Sequence, residues 1–240
     1  MEHAAYPARV RRRVEGGGAV RRILTAFLLL PLIAFSQASD WYMDFDEDFA
    51  AASGSDLPSG YRACVYIQGT RTQYINSDFV LRAEDSVRVE VEFSTSAIYG
   101  VFGGRTTQNT MRYAGFLINT TFRYDNDAQI LGTNTVSTGI RYIVHITPNA
   151  ATVNGILDAE LSNTQTINYP SYFLAVNTAG TATLPADAKL YQAQIYDAEG
   201  ALVVDLVPCL NNLGVPGMYD RKRKLFFANA GTGAFGYQLR

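Results

Sequence analysis

One stretch of the chain, residues 104–127, concentrates side chains that could recognise a sugar. Aromatic rings stack on the apolar faces of sugar rings, while guanidinium, carboxylate and amide groups bond the surrounding hydroxyls. The candidate ligand-binding residues are Arg105, Arg112, Tyr113, Arg123, Tyr124 and Asp125, with Asn109, Phe122 and Asn126 beside them. The alternative interpretation is that the aromatic residues belong to the core or to a sheet surface and that the polar residues lie in loops.

Histidine-based catalysis is disfavoured by the histidine count. His3 lies in the N-terminal leader, so His145 is the one histidine in the rest of the sequence. One histidine cannot build the usual zinc sites, and the sequence has no Gly-x-Ser-x-Gly elbow to supply a nucleophile. His145 alternates with the apolar Tyr142, Val144 and Ile146, which predicts a strand residue that points away from the core. We therefore expect no catalytic residue and leave the question of a metal open.

The strongest charge cluster is Arg221-Lys222-Arg223-Lys224. Clustered cations can bind polyanions such as sulfated glycans. Such a run is also typical of an exposed turn that keeps a sheet edge soluble, which is the simpler interpretation. The whole chain has a net charge of −2 at pH 7, which argues against a general nucleic-acid partner.

Residues 1–38 are predicted to be a signal peptide. Two arginines precede the apolar run Ile23–Phe35, and Ser36-Gln37-Ala38 supplies the small residues for cleavage after Ala38. The run is shorter than the ~20 residues that cross a bilayer, so no stable membrane span is expected after cleavage. The unusually long arginine- and glycine-rich segment at the front suggests that translation starts at Val20. The protein is therefore expected to be secreted, either to the periplasm or to the cell surface.

Residues 39–60 are predicted to form an acidic and polar lead-in to the folded domain. Its acidic run, Asp44, Asp46, Glu47 and Asp48, lacks the glycine and the terminal glutamate of a recognised calcium loop. A solvated run of charges is the simpler interpretation. No cofactor is predicted, although a structural calcium ion is left open.

The sequence contains two cysteines, Cys64 and Cys209, near the two ends of the predicted domain. In an oxidising compartment they could form one disulfide between the first and the penultimate strand. They could equally be two buried thiols that do not pair. The sequence leaves both interpretations open.

Short strand signals recur along the rest of the chain. Ser86–Ser94 alternates between apolar and charged residues, which predicts a strand with one buried face and one wet face. Arg141–Thr147 alternates in the same way, and Asn154-Gly155 favours a two-residue hairpin. The turn Asp197–Gly200 joins another strand pair, and no segment after Ala38 has long helical spacing. The pattern predicts an all-β sandwich or jelly roll.

Several motifs carry a family resemblance. They are Val207-Pro208-Cys209, Gly217-Met218-Tyr219-Asp220, the loop Asn229–Gly233, Phe102-Gly103-Gly104-Arg105, and Leu174-Ala175-Val176-Asn177 followed by Gly180. Together with the opening segment Leu57–Phe79, they resemble the LamG-like jelly-roll modules of secreted bacterial and phage surface proteins. These modules belong to the concanavalin A-like lectin/glucanase superfamily. The resemblance implies a concanavalin A-like antiparallel β-sandwich over residues 61–240.

The same resemblance makes a glucanase the main enzymatic alternative. Retaining glycosidases need two carboxylates about 5–5.5 Å apart, and the glucanases of this superfamily carry theirs in a Glu-x-Asp-x-Glu run. The comparable run here, Glu90-Val91-Glu92, continues to Ser94 instead of a third acid, and Arg88 shares its face. A charged outer sheet surface explains this run, so no enzyme is expected.

We therefore expect a secreted, non-catalytic binding module for carbohydrate recognition or surface adhesion. Its partner would be a glycan or a surface protein. The alternatives are a structural or protein–protein interaction module of a surface assembly and a divergent glycoside hydrolase. The motifs behind the resemblance belong to the scaffold, so the resemblance transfers no ligand contact to this chain.

Overall fold

The computed structural model describes residues 57–107, 111–126, 128–162 and 164–240. Within these ranges the chain forms eighteen β-strands and no helix, and the strands make two sheets. The all-β sandwich class predicted from the sequence is confirmed. The signal peptide, the start at Val20, the cleavage after Ala38 and the acidic run at 44–48 lie outside the described residues.

The strands, in chain order, are as follows. They are β1 (Arg62–Thr70), β2 (Ile75–Asn76), β3 (Ser86–Phe93), β4 (Ile98–Arg105), β5 (Arg112–Ile118), β6 (Thr121–Asn126), β7 (Ala128–Thr135), β8 (Arg141–Ile146) and β9 (Ala150–Val153). They continue with β10 (Ile156–Glu160), β11 (Tyr172–Phe173), β12 (Val176–Thr178), β13 (Thr181–Thr183), β14 (Asp187–Tyr196), β15 (Leu202–Leu210), β16 (Pro216–Asp220), β17 (Leu225–Ala228) and β18 (Gly236–Leu239).

The larger sheet has ten strands in the order β10-β9-β8-β3-β14-β1-β15-β16-β17, with β18 paired to β1. The smaller sheet has eight, in the order β13-β12-β4-β5-β6-β7, with β11 paired to both β4 and β2. The pairings are antiparallel with one exception, because β12 runs parallel to β4. The chain reverses between β11, which is antiparallel to β4, and β12, and Leu174 at this reversal has a φ of 63°.

The hydrophobic core lies between the two sheets. Alternate residues of β3 and β8 point into it, including Val89 and Val144, and the smaller sheet contributes the rings of Phe102, Phe122 and Phe173. Removing apolar surface from water stabilises the fold by roughly 25 cal/mol per Å². The alternation of apolar residues in the sequence therefore decides which face of each strand packs inward.

The local strand predictions are confirmed at three places. The predicted strand Ser86–Ser94 is β3, the turn at Asn154-Gly155 joins β9 to β10, and the turn Asp197–Gly200 joins β14 to β15. One detail differs, because the outer face of β3 is covered rather than wet. Arg88 and Glu90 are both buried, since Gln194 bonds Arg88 and Arg141 lies against Glu90.

Two of the motifs that carried the family resemblance have structural roles. Gly103 has a φ of 116°, and a side chain at this position would run into the backbone of Tyr113 and Ala114. The Asn177 amide donates to the carbonyl of Pro170 at 2.9 Å, and its oxygen accepts from the backbone N–H of Gly180 at 2.7 Å. Gly103 thus permits the close approach of β4 and β5, and Asn177 fixes the turn between β12 and β13.

The two cysteines are free and buried. The register of β1 with β15 places Cys209 opposite Ala63, the residue before Cys64. Because neighbouring residues of a strand point to opposite faces, this register does not align the two sulfur atoms on one face. The structure thus shows two thiols at these positions and no bridge.

Candidate functional site

Four of the six sequence candidates meet on the outer face of the smaller sheet. We call this group the arginine cluster: Arg105, Arg112, Arg123 and Asp125 around the ring of Phe116. Three consecutive strands bring it together, because β4 pairs with β5 and β5 pairs with β6. Arg105 stands directly opposite Arg112, and Arg123 stands directly opposite Phe116.

A hydrogen bond, an ion pair and contacts with an aromatic ring engage the side chains of the arginine cluster. Nε of Arg105 donates to the Thr178 hydroxyl at 2.9 Å, and Nε of Arg123 lies 2.9 Å from Oδ1 of Asp125. Both guanidinium groups also lie over the Phe116 ring, at 5.3 Å and 4.4 Å from its centre. Such cation–π contacts contribute about 0.5–2 kcal/mol each. The cluster therefore holds three strands and β12 together.

Burial dominates the electrostatics of the arginine cluster. Loss of water lowers the pKa of Arg105, and the nearby carboxylate of Asp125 opposes this change. Burial likewise raises the pKa of Asp125, against the effect of the three guanidinium groups. Arg105 is only 4% exposed, whereas the Arg123 side chain is 19% exposed. Little of the cluster is open to a ligand, so its first role is structural.

Tyr113 and Tyr124 face the opposite way, into the core, where both are fully buried. The Tyr113 hydroxyl donates to the backbone oxygen of Asp85 at 2.6 Å, and the Tyr124 hydroxyl donates to Oδ2 of Asp158 at 2.6 Å. Neither ring offers a face to a sugar. Phe122 is also in the core, and Asn109 lies outside the described residues.

A second group lies on the outer face of the larger sheet. We call it the tyrosine platform: Tyr66, Glu90, Glu92, Arg141, Lys189 and Tyr191. Four adjacent strands supply it, in the order β8, β3, β14 and β1. Each platform residue stands next to a core residue of its own strand, namely Ile67, Val91, Tyr142 or Leu190, and the alternation of a strand directs the platform residue outward. Tyr66 and Tyr191 are each partly exposed and meet edge to face with ring centres 5.6 Å apart.

Polar contacts fix the geometry of the tyrosine platform. Oε1 of Glu92 accepts from the Lys189 ammonium at 2.7 Å, and its Oε2 accepts from the Tyr191 hydroxyl at 2.7 Å. The Lys189 ammonium lies 4.9 Å from the centre of the Tyr66 ring. On the far side, the Arg141 guanidinium lies 4.1 Å from the centre of the Tyr191 ring. Two aromatic rings are thus held among fixed hydrogen-bonding groups at the protein surface.

The two carboxylates of the tyrosine platform are paired with cations. Glu90 forms an ion pair with Arg141, and the hydrogen bond from Lys189 is the main cause of a lowered pKa at Glu92. Glycoside hydrolysis needs one carboxyl that stays protonated near neutral pH. A lowered pKa keeps Glu92 ionised, which does not suit that role.

The sequence pointed to Glu90 and Glu92 but not to the other platform residues, Tyr66, Arg141, Lys189 and Tyr191. Each missed residue stands beside a core residue in an alternating strand, as Lys189 and Tyr191 flank Leu190. This alternation could have predicted their outward direction. The neighbour relationship of β1, β14 and β3 could not be predicted, because it depends on strand order rather than on local pattern.

The remaining sequence candidates take structural positions. His145 points away from the core, as predicted, and burial, with the charge of Arg88 as a second cause, lowers its pKa to about 4. In the basic run, Arg221 forms an ion pair with Asp205, with Nη2 and Oδ2 2.6 Å apart. Arg223 pairs with Asp220 and donates to the carbonyl of Ser77 at 2.8 Å. Two of the four cations are thus bonded to groups of the protein, whereas Lys222 and Lys224 are exposed at the turn, which fits the soluble-turn interpretation.

Two further classes of feature are absent within the described residues. No group of three or more histidine, cysteine or acidic side chains is placed to hold a metal ion there. In the same ranges no helix is long and apolar enough to cross a membrane.

Comparison with known proteins gives structural similarities and no family assignment. No family model matches the chain, and no curated protein matches it. Its fold is similar to that of a candidate carbohydrate-binding protein from Bacteroides ovatus, with a TM-score of 0.54 and 10% identity over 74% of this chain. The aligned part spans 60% of that protein's length.

Two other solved structures are similar at lower scores. The CBM40 of a Ruminococcus gnavus IT-sialidase, bound to α2,3-sialyllactose, gives a TM-score of 0.45 at 12% identity, over 57% of this chain and 90% of that one. A heptameric SAP-like pentraxin from Limulus polyphemus gives 0.41 at 12% identity, over 57% of this chain and 75% of that one. At such identities the likeness concerns the fold alone. The chain has an all-β jelly-roll sandwich fold, and its LamG-like kinship stays a prediction.

Proposed function

We propose that this chain is a secreted, non-catalytic carbohydrate-binding module whose ligand stacks on the tyrosine platform. The observation that carries the proposal is the pair of partly exposed rings, Tyr66 and Tyr191, set among fixed polar groups on one sheet face. Such rings offer apolar surface to the C–H face of a sugar, and the polar groups orient its hydroxyls. The carbohydrate-binding description of the similar protein from Bacteroides ovatus supports the same class of function.

The platform is pre-organised for such a ligand. The Tyr191 hydroxyl is bonded to Glu92, and Glu92 is itself held by Lys189, so the ring has a defined orientation before any sugar arrives. A side chain ordered in advance does not lose rotamer freedom on binding, a loss that costs about 0.5–1.5 kcal/mol for each immobilised side chain. The arrangement therefore favours binding by a rigid surface.

The ion pairs of the two glutamates support binding without hydrolysis. Glu92 has a lowered pKa, which does not suit the protonated carboxyl of a hydrolase, and Glu90 is engaged by Arg141. A ligand held here would keep its glycosidic bonds. Incubation of the protein with bound oligosaccharide, followed by chromatography of the sugar, checks this point, and released fragments would contradict it.

A glycan array of the purified protein tests the binding proposal. We expect saturable binding, and we expect Tyr66→Ala and Tyr191→Ala to weaken it by about tenfold each, as for central aromatic contacts worth about 1.4 kcal/mol or more. Tyr169→Ala is the matched control, because Tyr169 is partly exposed in the loop before β11 of the smaller sheet. A blank array, or binding that neither platform variant weakens, contradicts the proposal and directs attention to a protein partner.

Export is a separate part of the proposal, supported by the sequence of residues 1–38. Removal of the predicted signal peptide would leave Ser39 as the first residue of the secreted protein. The intact mass of protein recovered outside the cytoplasm checks this prediction. Full-length protein retained in the cytoplasm would contradict it.

A further inference from the structure

The charges of the tyrosine platform cancel in pairs, and we infer from this that its ligand is a neutral sugar rather than an acidic one. The inference rests on the proposed carbohydrate-binding function and narrows its ligand class. The Lys189 ammonium is 2.7 Å from Oε1 of Glu92, and the Arg141 guanidinium is paired with Glu90. Two cations and two carboxylates leave the group without net charge.

An acidic sugar would meet cations whose charge a glutamate already balances. Its carboxylate or sulfate would need Lys189 or Arg141, and each cation already serves a glutamate of the platform. Withdrawing Arg141 would leave Glu90, whose side chain is only 6% exposed, without its cation. Removing one partner of a poorly solvated pair is strongly destabilising. The Glu92 carboxylate beside the Tyr191 hydroxyl would also repel a second negative charge.

A neutral sugar meets no such obstacle. The Lys189 ammonium has three N–H donors, and its bond to Glu92 uses one of them. Next to it on β1, the Gln68 amide donates to the hydroxyl of the exposed Ser94 at 3.3 Å, which adds further hydrogen-bonding groups at the margin. Sugar hydroxyls can bond these groups while both ion pairs stay intact. The tyrosine rings supply stacking surface that does not depend on charge.

Charge-changing variants give this inference a direct test. Glu92→Gln keeps the shape of the side chain and removes one negative charge, so the platform would carry one net positive charge. Lys189→Gln changes the balance in the opposite direction. Glu199→Gln in the exposed β14–β15 turn makes the same charge change as Glu92→Gln at the other end of β14 and is the matched control.

The experiment is calorimetric titration of the protein with matched tetrasaccharides at low and at high salt. The neutral probes contain glucose, galactose, mannose or xylose, and the acidic probes are the uronate and O-sulfated counterparts of the same linkage. We expect a neutral probe to bind at least tenfold more tightly than its acidic counterpart, with little salt dependence. We expect Glu92→Gln to shift this ratio toward the acidic probe by about tenfold, Lys189→Gln to shift it the other way, and Glu199→Gln to leave it unchanged.

The outcomes separate this inference from the proposed function. Tighter binding of an acidic probe, with affinity that falls steeply as salt rises, would overturn the neutral-ligand inference and leave carbohydrate binding standing. A ratio that Glu92→Gln and Lys189→Gln do not move, in variants with native circular dichroism spectra, would also overturn it. Failure of every probe on an array and in calorimetry would overturn the proposed function and the inference together.

Discussion

The hydroxyl of Tyr124 donates a 2.6 Å hydrogen bond to Oδ2 of Asp158, which joins β6 of the smaller sheet to β10 of the larger one. The other oxygen of Asp158 accepts from the backbone N–H groups of Thr133 at 2.8 Å and Asn134 at 2.6 Å. One buried carboxylate therefore ties three strands together at one side of the sandwich. Burial, followed by the bond to Asp158, raises the pKa of Tyr124.

Removing this hydroxyl tests its contribution to stability. Tyr124→Phe keeps the buried ring but takes one donor from the buried Asp158 carboxylate, and hydrogen bonds to charged groups contribute about 1.5–3 kcal/mol. We expect the free energy of unfolding in urea to fall by that amount. Tyr169→Phe, in a partly exposed loop position, is the control. An unchanged urea midpoint for Tyr124→Phe would show that the bond does not stabilise the fold.

A substitution at Gly132 of β7 tests how closely this strand approaches the Asp158 carboxylate. A Cβ atom at this position would lie directly on the carboxylate of Asp158, so Gly132→Ala must displace the group that links the two sheets. We expect a loss of about 1–3 kcal/mol, as for other changes that overpack a buried site. Gly236→Ala is the matched control, because its Cβ would make ordinary contacts with Gln68 at 3.4 Å or more. Equal melting temperatures for the two variants would contradict the predicted close approach.

The lowered pKa of His145 predicts that the protein becomes less stable in acid. Its pKa falls from 6.5 to about 4 in the folded protein, first through burial and second through the charge of Arg88. Between these two values the unfolded chain binds a proton that the folded protein does not, so acid favours unfolding. As far as His145 is concerned, the free energy of unfolding is highest above pH 6.5. It decreases by up to about 3 kcal/mol as the pH falls toward 4.

Urea unfolding between pH 4 and pH 7 measures this effect. We expect His145→Gln to lose less stability on acidification than the natural protein, because glutamine does not titrate. Parallel pH profiles for the two proteins would show that His145 is not the group responsible.

The cysteines give a chemical prediction. Burial, with the nearby Cys64 as a second cause, raises the pKa of Cys209 to about 12, so its reactive thiolate is scarce at neutral pH. We expect two thiols per molecule to react with a disulfide reagent after denaturation without reductant, and far slower reaction in the folded protein. Absence of reactive thiols in the denatured, unreduced protein would show that Cys64 and Cys209 form a bridge.

The local parts of the fold could be predicted from the sequence because their signals are local. The alternation in β3 and the Asn154-Gly155 turn each depend on a few consecutive residues. The convergence of Arg105, Arg112 and Arg123 was also within reach, because consecutive hairpins place their strands side by side. The parallel pairing of β12 with β4 was not, since it depends on a reversal at Leu174, a residue type that rarely adopts positive φ.

The predicted site combined residues that one strand face cannot hold together. Arg112 and Tyr113 are neighbours in β5, as are Arg123 and Tyr124 in β6, and neighbours in a strand point to opposite faces. The charged side chains of the predicted site therefore point outward, and its tyrosine side chains point into the core. The tyrosine platform could not be predicted from the sequence, for a different reason. Its members come from strands far apart in the chain, and no local pattern reveals that these strands are adjacent.

Nuclear magnetic resonance can map, residue by residue, whether a sugar binds at the tyrosine platform. The protein, labelled in its tyrosine rings and its arginine and lysine side chains, is titrated with the neutral tetrasaccharides described above. We expect the chemical-shift changes to concentrate on Tyr66, Tyr191, Lys189 and Arg141. Shifts confined to Arg105 and Arg123 on the opposite sheet, or no shift with any sugar, would contradict the claim that the tyrosine platform is a carbohydrate-binding site.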